Sequence, residues 1–171
     1  MPEAFDDMNS AENRYAHALE YARGGMGRIL VVYDKRIGRN IALKELLTSA
    51  NGGPVALDSA VGPDSEHARL RFLREAQVAG RLEHPSIIPV YEMGEWLDGT
   101  PYYTMKLVRG QTLDEVISET EGLRERLKLL PHLVSVCQAV AYAHSRKVVH
   151  RDIKPKNIMI GEYGETVLLD W

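Results

Sequence analysis

The segment that most restricts the possible folds of this chain is the charged stretch at 150–157, which reads His-Arg-Asp-Ile-Lys-Pro-Lys-Asn. An apolar periodic run predicts one or two helices over Leu123–Ser145 before it, and a β-rich run predicts a strand at Ile158–Ile160 after it. Several fixed residue types therefore coincide at fixed spacing on a loop between a helix and a strand. An ordinary charged loop does not require that coincidence, so we interpret the segment as functional.

The side chains of this loop suit phosphoryl transfer, a reaction that needs groups to position the nucleophile and to neutralise phosphate charge. The Asp152 carboxylate can orient an acceptor hydroxyl and take its proton. Lys154, two residues on in extended backbone, can point to the same side and offer its ammonium group to the transferring phosphate. Asn157 supplies a neutral oxygen to Mg²⁺, a cation that prefers oxygen ligands.

This loop resembles the catalytic loop of the serine/threonine protein kinases, within the bacterial branch whose glycine loops read Gly-Gly-Met-Gly. The resemblance implies catalytic roles for Asp152, Lys154 and Asn157. Lys154 is the residue that serine/threonine-directed members carry at this position. Arg151, directly before the catalytic aspartate, resembles the arrangement in kinases whose activation loop is regulated by phosphorylation.

The resemblance extends to a glycine turn, which predicted strands at Ala18–Tyr21 and Ile29–Tyr33 flank as a hairpin. Backbone amides of such a turn can approach phosphates closely. Against the family pattern Gly-x-Gly-x-x-Gly-x-Val, Ala22 replaces the first glycine and Ile29 replaces valine. We expect Ala22 to stiffen the loop entrance and to weaken nucleotide binding without abolishing it. The implied nucleotide-binding positions are Ala22, Arg23, Gly24, Gly25, Met26, Gly27 and Ile29.

A third strand, predicted at Asn40–Leu46, contains the tetrapeptide Ile-Ala-Leu-Lys, which resembles the family's strand-lysine motif. Alternate side chains of a strand share a face, so Lys44 and Ala42 project to the same side. The resemblance implies that Ala42 lines the adenine pocket and that Lys44 contacts the α- and β-phosphates. An exposed strand lysine is the alternative, which the position after a glycine turn disfavours.

A helix predicted over Ser65–Leu82 contains the best match to the glutamate that pairs with this lysine in the family, Glu75. Glu66 and Glu83 lie nearby, and a solvated helix glutamate is the alternative.

Two further segments resemble family motifs. Tyr102–Val108 is similar to the strand that enters the hinge, which implies Met105 as gatekeeper and the backbone of Lys106 and Val108 as contacts of adenine. Val167–Trp171 is similar to the strand that ends in Asp-Phe-Gly, with Trp171 in place of phenylalanine. The resemblance implies that Asp170 holds Mg²⁺ bridging the phosphates.

The fold class implied is α+β, a protein kinase-like fold with a β-rich N-lobe carrying one main helix and the first part of a helical C-lobe. We expect a disordered segment at 1–13, the N-lobe at 14–108 and the start of the C-lobe at 109–171. Gly-rich and Pro-rich sequence at Thr48–Ser65 predicts a long exposed loop. The resemblance covers about the first two-thirds of a kinase domain.

Composition excludes some classes of function. The 171 residues are 44% hydrophobic, and the net charge of -3 gives no reason to expect nucleic acid or an anionic membrane as partner. No apolar run reaches the roughly 20 residues that a membrane-spanning helix needs. The single cysteine, Cys137, is predicted to be a small buried residue. We expect a cytoplasmic location, and the oligomeric state stays open.

The function implied is ATP-dependent phosphoryl transfer to Ser or Thr of a protein, with ATP and Mg²⁺ as cofactors. A non-catalytic nucleotide-binding or scaffold protein is the first alternative. A small-molecule phosphotransferase of related fold is disfavoured, because Lys154 and the following Pro155-Lys156-Asn157 resemble the protein-directed pattern.

Overall fold

The computed structural model describes residues 11–48, 51 and 63–171. Most of the segment predicted to be disordered, and most of the loop predicted at Thr48–Ser65, lie outside these residues. The chain divides into two compact units, one of Met1–Ala76 with Val90–Leu107 and one of Gln77–Pro89 with Val108–Trp171. The division differs from the single boundary after residue 108 that we expected, because 77–89 belongs with the second unit.

A five-stranded antiparallel sheet forms most of the first unit, in the strand order β1-β2-β3-β5-β4. The strands are β1 (Tyr15–Arg23), β2 (Gly27–Asp34), β3 (Arg39–Leu46), β4 (Val90–Glu95) and β5 (Pro101–Met105). A four-residue helix, α1 (Ala11–Arg14), precedes the sheet and begins within the segment expected to be disordered. Helix α2 (Pro63–Gly80) begins in this unit, and its last four residues are counted with the second unit.

The dipeptide Asp98-Gly99 predicts a tight turn, and the structure confirms this turn between β4 and β5. The amide of Gly99 donates to the carbonyl of Trp96 at 2.9 Å, and Gly99 has a φ of 80°. Glycine adopts this left-handed conformation without the steric cost that a Cβ would add. The β-rich run at 87–93 predicts a strand that begins at Ile87, but β4 begins at Val90. Ile87 instead forms an isolated parallel bridge with Leu168 in the second unit.

The sheet of the first unit has an apolar core on one face and helix α2 on the other. The core cluster joins aliphatic side chains of β2 and β3 to two tyrosine rings, and its members are Tyr15, Leu30, Val32, Ile41, Leu43 and Tyr102. On α2, Phe72 is fully buried and its ring centroid lies 5.3 Å from that of Tyr103 on β5. Burial of such a side chain stabilises the fold by about 1.5–3 kcal/mol.

An ion-pair network connects Arg14, directly before β1, to the end of β2 and to β4. Arg14 binds the buried carboxylate of Asp34 at 2.7 Å and that of Glu92 at 2.5 Å. The hydroxyl of Tyr15 donates to Glu92. Burial raises the pKa of Asp34, but the hydrogen bonds from Arg14 and from the Arg36 amide outweigh it, so that the pKa lies below its ordinary value. The network therefore favours the ionised carboxylate.

We expect the Asp34→Asn variant to lower the free energy of unfolding by about 1.5–3 kcal/mol at pH 7, the usual contribution of a hydrogen bond to a charged group. The pKa of Asp34 is lower in the folded chain than its unfolded value near 3.8. Its contribution is therefore complete above that value and is lost as the pH falls through the lower folded pKa. Urea unfolding at pH 7, and at a descending series of pH values that starts at 3.8, measures both effects.

The control is Glu95→Gln, which removes an arginine-paired carboxylate that is 52% exposed. An exposed pair of this kind contributes about 0–1 kcal/mol. Equal destabilisation by the two variants at pH 7 would contradict the role assigned to Asp34.

Among its described residues the second unit contains three complete α-helices, a 3₁₀ turn at Pro155–Asn157 and a small sheet. The helices are α3 (Leu113–Glu119), α4 (Gly122–Leu127) and α5 (Leu130–Ser145). The strands β6 (Gly110–Thr112), β7 (Ile158–Gly161) and β8 (Thr166–Leu168) form an antiparallel sheet in that order. Strand β6 was not predicted. It depends on Gly110, whose φ is 148° and whose added Cβ would lie 2.0 Å from the carbonyl oxygen of Ile160.

The buried face of helix α5 differs slightly from the one that the three- and four-residue spacing of its apolar residues predicts. We expected Leu129, Leu133, Val136, Val140 and Ala143 to share the packed face. The fully packed positions are instead Val136, Ala139 and Ala143, while Leu133 is 44% exposed. Cys137 is exposed, so the prediction of a buried cysteine is wrong. The packed face of the helix is therefore rotated toward Ala139 relative to our prediction.

Within the part of the chain that the structure describes, no helix is both long and apolar enough to cross a lipid bilayer.

Candidate active site

The glycine turn joins β1 to β2 in the first unit. Arg23 and Arg28 form the last pair of the β1–β2 ladder, and the amide of Gly24 donates to the carbonyl of Gly27 at 2.8 Å. The carbonyl of Met26 accepts from the amide of Leu47 at 3.0 Å. The first bond closes the turn, and the second attaches its second limb to the residue that follows β3.

Two glycines of the turn are there for different physical reasons. A Cβ on Gly27 would lie 2.7 Å from the carbonyl oxygen of Glu45, whereas a Cβ on Gly25 would meet nothing within 4 Å. Gly27 is therefore required for packing, and Gly25 leaves open space above the turn. Ala22 pairs with Ile29 inside the ladder and does not have a positive φ. The backbone at this position does not require glycine.

We expect Gly27→Ala to affect the stability of the fold and Gly25→Ala to affect ATP binding. Gly27→Ala forces backbone atoms of β2 and β3 apart and should lower the free energy of unfolding by about 1–3 kcal/mol, the usual cost of overpacking. Gly25→Ala should leave stability within about 0.5 kcal/mol, as substitutions without clashes do. It should still weaken ATP binding, because its methyl group occupies the open space. Thermal unfolding and ATP titration of both variants test this; a stable Gly27→Ala protein would contradict it.

Lys44 and Glu75 form an ion pair in the first unit, as the sequence predicted. The Lys44 Nζ atom lies 2.6 Å from Glu75 Oε1, and the side chains are 13% and 18% exposed. The hydroxyl of Tyr103 donates to the same oxygen at 2.8 Å. Tyr103 was not assigned this role from the sequence, because its register opposite Lys44 becomes visible only once β3 and β5 are paired.

Other predicted nucleotide positions of the first unit lie on the strands around this pair. Ile29 pairs with Lys44 across β2 and β3, and Ala42 pairs with Met105 across β3 and β5. Ala42 and Met105 are 4% and 7% exposed. Lys106 follows β5 at the end of the first unit, while Val108 is buried in the second unit.

The catalytic-loop residues are brought together in the second unit. Lys154 Nζ lies 2.7 Å from Asp152 Oδ2, and the Asn157 amide group donates to the same oxygen at 3.0 Å and to the Asp152 carbonyl at 2.9 Å. Arg151 has a φ of 68°, which turns the chain sharply before Asp152. Residues that hold a sparsely populated conformation concentrate at functional sites.

The electrostatics of the loop favour an ionised Asp152. Its pKa is lowered, first by the hydrogen bond from Lys154 and then by that from Asn157. The carboxylate is 57% exposed, so it is accessible to a substrate from solvent. At neutral pH it is therefore a charged proton acceptor.

His150 anchors the loop to the segment that precedes Asp170. Its Nε2 atom lies 2.7 Å from the carbonyl of Leu169, and its Nδ1 atom accepts from the amide of Asp152 at 3.3 Å. A carbonyl only accepts, so the bond to Leu169 is donated by the Nε2–H group of the ring. The ring of Trp171 lies 4.8 Å from that of His150, and its indole N–H donates to the Leu168 carbonyl at 3.2 Å. The sequence motif contains His150, but its anchoring role was not predicted.

The two predicted ligands of Mg²⁺ are connected through the backbone. The amide of Leu169 donates to the carbonyl of Asn157 at 2.8 Å, which fixes the residue before Asp170. Asp170 is exposed and has a φ of 56°. The Asn157 side chain uses its NH₂ group in both bonds to Asp152, which leaves its amide oxygen as the ligand for a cation. An amide oxygen and a carboxylate suit Mg²⁺, although the described residues contain no cluster of three His, Cys, Asp or Glu side chains.

Comparison with known proteins agrees with this arrangement. A family model described as "Protein kinase domain" matches residues 20–171. Serine/threonine-protein kinase PknD of Protochlamydia amoebophila is 40% identical over 161 residues, covering 87% of this chain and 15% of the relative. Serine/threonine-protein kinase PknD of Chlamydia muridarum is 36% identical over 169 residues, covering 92% and 17%. The chain thus spans less than a fifth of the length of these relatives.

Solved structures show the same fold. A structure titled "PpkA-294 apo form" has a TM-score of 0.73 and 28% identity, with 92% of this chain and 58% of that chain covered. The crystal structure of the PknI kinase domain of Mycobacterium tuberculosis has a TM-score of 0.65 and 27% identity, with 91% of this chain and 58% of that chain covered.

The chain belongs to the protein kinase domain family, because the family model matches residues 20–171. The Lys44–Glu75 ion pair and the bond between Asp152 and Asn157 agree with this identification. The two relatives named above are serine/threonine-protein kinases.

Proposed function

We propose that this chain supplies the ATP-binding and catalytic-loop residues of a protein kinase that transfers the γ-phosphoryl group of ATP to Ser or Thr of a protein. The observation that carries the proposal is the catalytic loop, where Asp152 is ionised, exposed and bonded to both Lys154 and Asn157. The bacterial serine/threonine kinases with which the chain shares 36% and 40% identity support the acceptor class.

The proposed reaction follows from the groups on the loop. The acceptor hydroxyl oxygen forms a bond to the γ-phosphorus while the bond from that phosphorus to the β,γ-bridging oxygen breaks, and ADP leaves. Asp152 orients the hydroxyl and takes its proton. Lys154 then exchanges its bond with Asp152 for one with the transferring phosphoryl group and offsets its charge.

In the first unit, Lys44 binds the α- and β-phosphates while Glu75 and Tyr103 hold it in place. The backbone of the glycine turn approaches the phosphates on its open side, at Gly25. Mg²⁺, when bound, neutralises charge on the phosphate oxygens. Asn157 and Asp170 would hold it through the amide oxygen and the carboxylate. Since ATP is the phosphate donor, we place the protein in the cytoplasm.

An acceptor assay tests the function. Incubation with γ-labelled ATP and Mg²⁺ is carried out with four peptides that differ only in having Ser, Thr, Tyr or Ala at one position, and with a set of small hydroxylated compounds. We expect label on the Ser and Thr peptides alone.

Two other results would each indicate a different class of protein. Label on the small compounds and not on peptides would make it a small-molecule phosphotransferase. ATP binding without transfer to any acceptor would favour a non-catalytic nucleotide-binding protein.

A further inference from the structure

Glu45, the residue after Lys44, is a buried carboxylate that the proposed mechanism does not use. It is 4% exposed and accepts three hydrogen bonds in the first unit. Its Oε1 atom accepts from Arg28 Nε at 2.7 Å and from Asn51 Nδ2 at 3.1 Å, and its Oε2 atom accepts from the Trp96 indole N–H at 2.7 Å. A buried carboxylate is costly unless it is paired and hydrogen-bonded, so its presence here requires an explanation.

The donors of Glu45 come from separate parts of the first unit. Arg28 follows the glycine turn directly, Asn51 lies beyond β3, and Trp96 belongs to the turn between β4 and β5. Asn51 also donates to the Leu46 carbonyl at 2.8 Å. One carboxylate therefore links the glycine turn to the strand that carries Lys44.

Arg28 continues the connection across the hairpin. It lies 3.5 Å from Glu20 on β1, and Glu20 in turn binds Arg23 at 2.7 Å. Arg23 and Arg28 are the residues on either side of the turn, paired in the ladder. Both limbs of the turn are thus connected through charged side chains, Glu20 and Arg28, to the buried Glu45.

The backbone adds a second connection at the same place. Arg28 pairs with Glu45 and Gly27 with Leu46 in the β2–β3 register. The close approach of Gly27 to the Glu45 carbonyl leaves no room for a side chain. The side-chain and backbone contacts of Glu45 therefore act on the same limb of the turn.

We propose that Glu45 is a positioning residue that, through Arg28, holds the glycine turn at a fixed place over the strand of Lys44, so that its amides are preorganised for phosphates. The inference rests on the proposed function, because it requires that the turn binds the phosphates of ATP. Glu45 touches no reacting atom. It affects only ligands that carry phosphates.

Titration of ATP, ADP and adenosine into the wild-type chain and the Glu45→Gln variant tests this. We expect the variant to bind ATP and ADP about tenfold more weakly, the usual effect of losing one charge-assisted hydrogen bond. Adenosine affinity should stay unchanged, since adenosine carries no phosphate. The dependence on phosphate is a readout that a general loss of structure would not produce.

Two further variants complete the design. Arg28→Gln removes the same ion pair with Glu45 by changing the Arg28 side chain, which is 25% exposed. This variant is used in place of Glu45→Gln if Glu45→Gln does not give the wild-type circular dichroism spectrum. Glu95→Gln is the matched control, because it removes an exposed carboxylate paired with an arginine in the same unit. We expect Arg28→Gln to behave like Glu45→Gln and the control to behave like wild type.

Equal weakening for all three ligands, or unchanged affinity for ATP in both Glu45→Gln and Arg28→Gln, would overturn the inference. If the wild-type chain binds neither ATP nor ADP, the proposed function itself fails, and the inference falls with it.

Discussion

Replacing Asp152 by alanine is expected to lower the rate of phosphoryl transfer by about 10²- to 10⁴-fold, the usual contribution of a general base that also positions the nucleophile. ATP affinity should change little, because Asp152 binds Lys154 and Asn157 in the free protein and is assigned no contact with the nucleotide. Single-turnover transfer to a Ser peptide and ATP titration measure the two quantities separately.

The control for this variant is Asp114→Ala, which removes an exposed aspartate from the first turn of α3. It should transfer at the wild-type rate. If Asp152→Ala lowers the transfer rate by a factor of only about three, the loss is far smaller than that expected for a general base. That result would contradict the role of Asp152 and the assignment of the catalytic loop.

Replacing Lys44 by methionine should lower kcat/KM for ATP by about 10²- to 10³-fold, the effect of removing one preorganised donor to developing phosphate charge. Methionine keeps much of the side-chain length and removes the ammonium group. Glu75 retains the hydrogen bond from Tyr103, so its carboxylate is not left without a donor. We therefore expect the variant to fold.

Lys128→Met is the matched control, because Lys128 is 67% exposed and pairs with Glu125 on the same surface segment. Steady-state kinetics at varied ATP and thermal unfolding are measured for both variants. If kcat/KM falls equally in both, or in neither, the phosphate contact assigned to Lys44 is wrong.

The loop residues could be predicted from sequence because their contacts are local. Asp152, Lys154 and Asn157 lie close together in the chain, and the extended backbone and short turn between them bring their side chains to one oxygen. The spacing of these residues in the sequence was therefore sufficient to predict that their side chains meet. The anchoring contact of His150 could not be inferred, because its partner, the Leu169 carbonyl, lies 19 residues away in the chain.

Contacts between distant segments were harder to predict. Lys44 and Glu75 are separated by 31 residues, and Glu66 and Glu83 offered equally charged alternatives on or near the same helix. The family pattern identified the right glutamate. Tyr103 and Glu45 were missed because their roles depend on strand register, and a one-residue shift in register would move either side chain to the opposite face.

The small sheet and the packing of α5 illustrate two other limits. Strand β6 has only three residues and begins with Gly110, a residue that is usually depleted in strands. On α5 the period of the apolar residues was right, but Leu133 matches that period as well as Ala139 does. Which of them lies at the contact is decided by the space available and not by hydrophobicity.

The measurement that tests the central claim most directly is titration of ATP into the 171-residue chain with and without Mg²⁺, in wild type and in the Asn157→Ala and Asp170→Ala variants. We predict saturable ATP binding that Mg²⁺ strengthens in wild type, and loss of the Mg²⁺ effect in both variants. Absence of saturable binding in wild type, or a Mg²⁺ effect that both variants retain, would contradict the assignment of this chain's residues to a kinase active site.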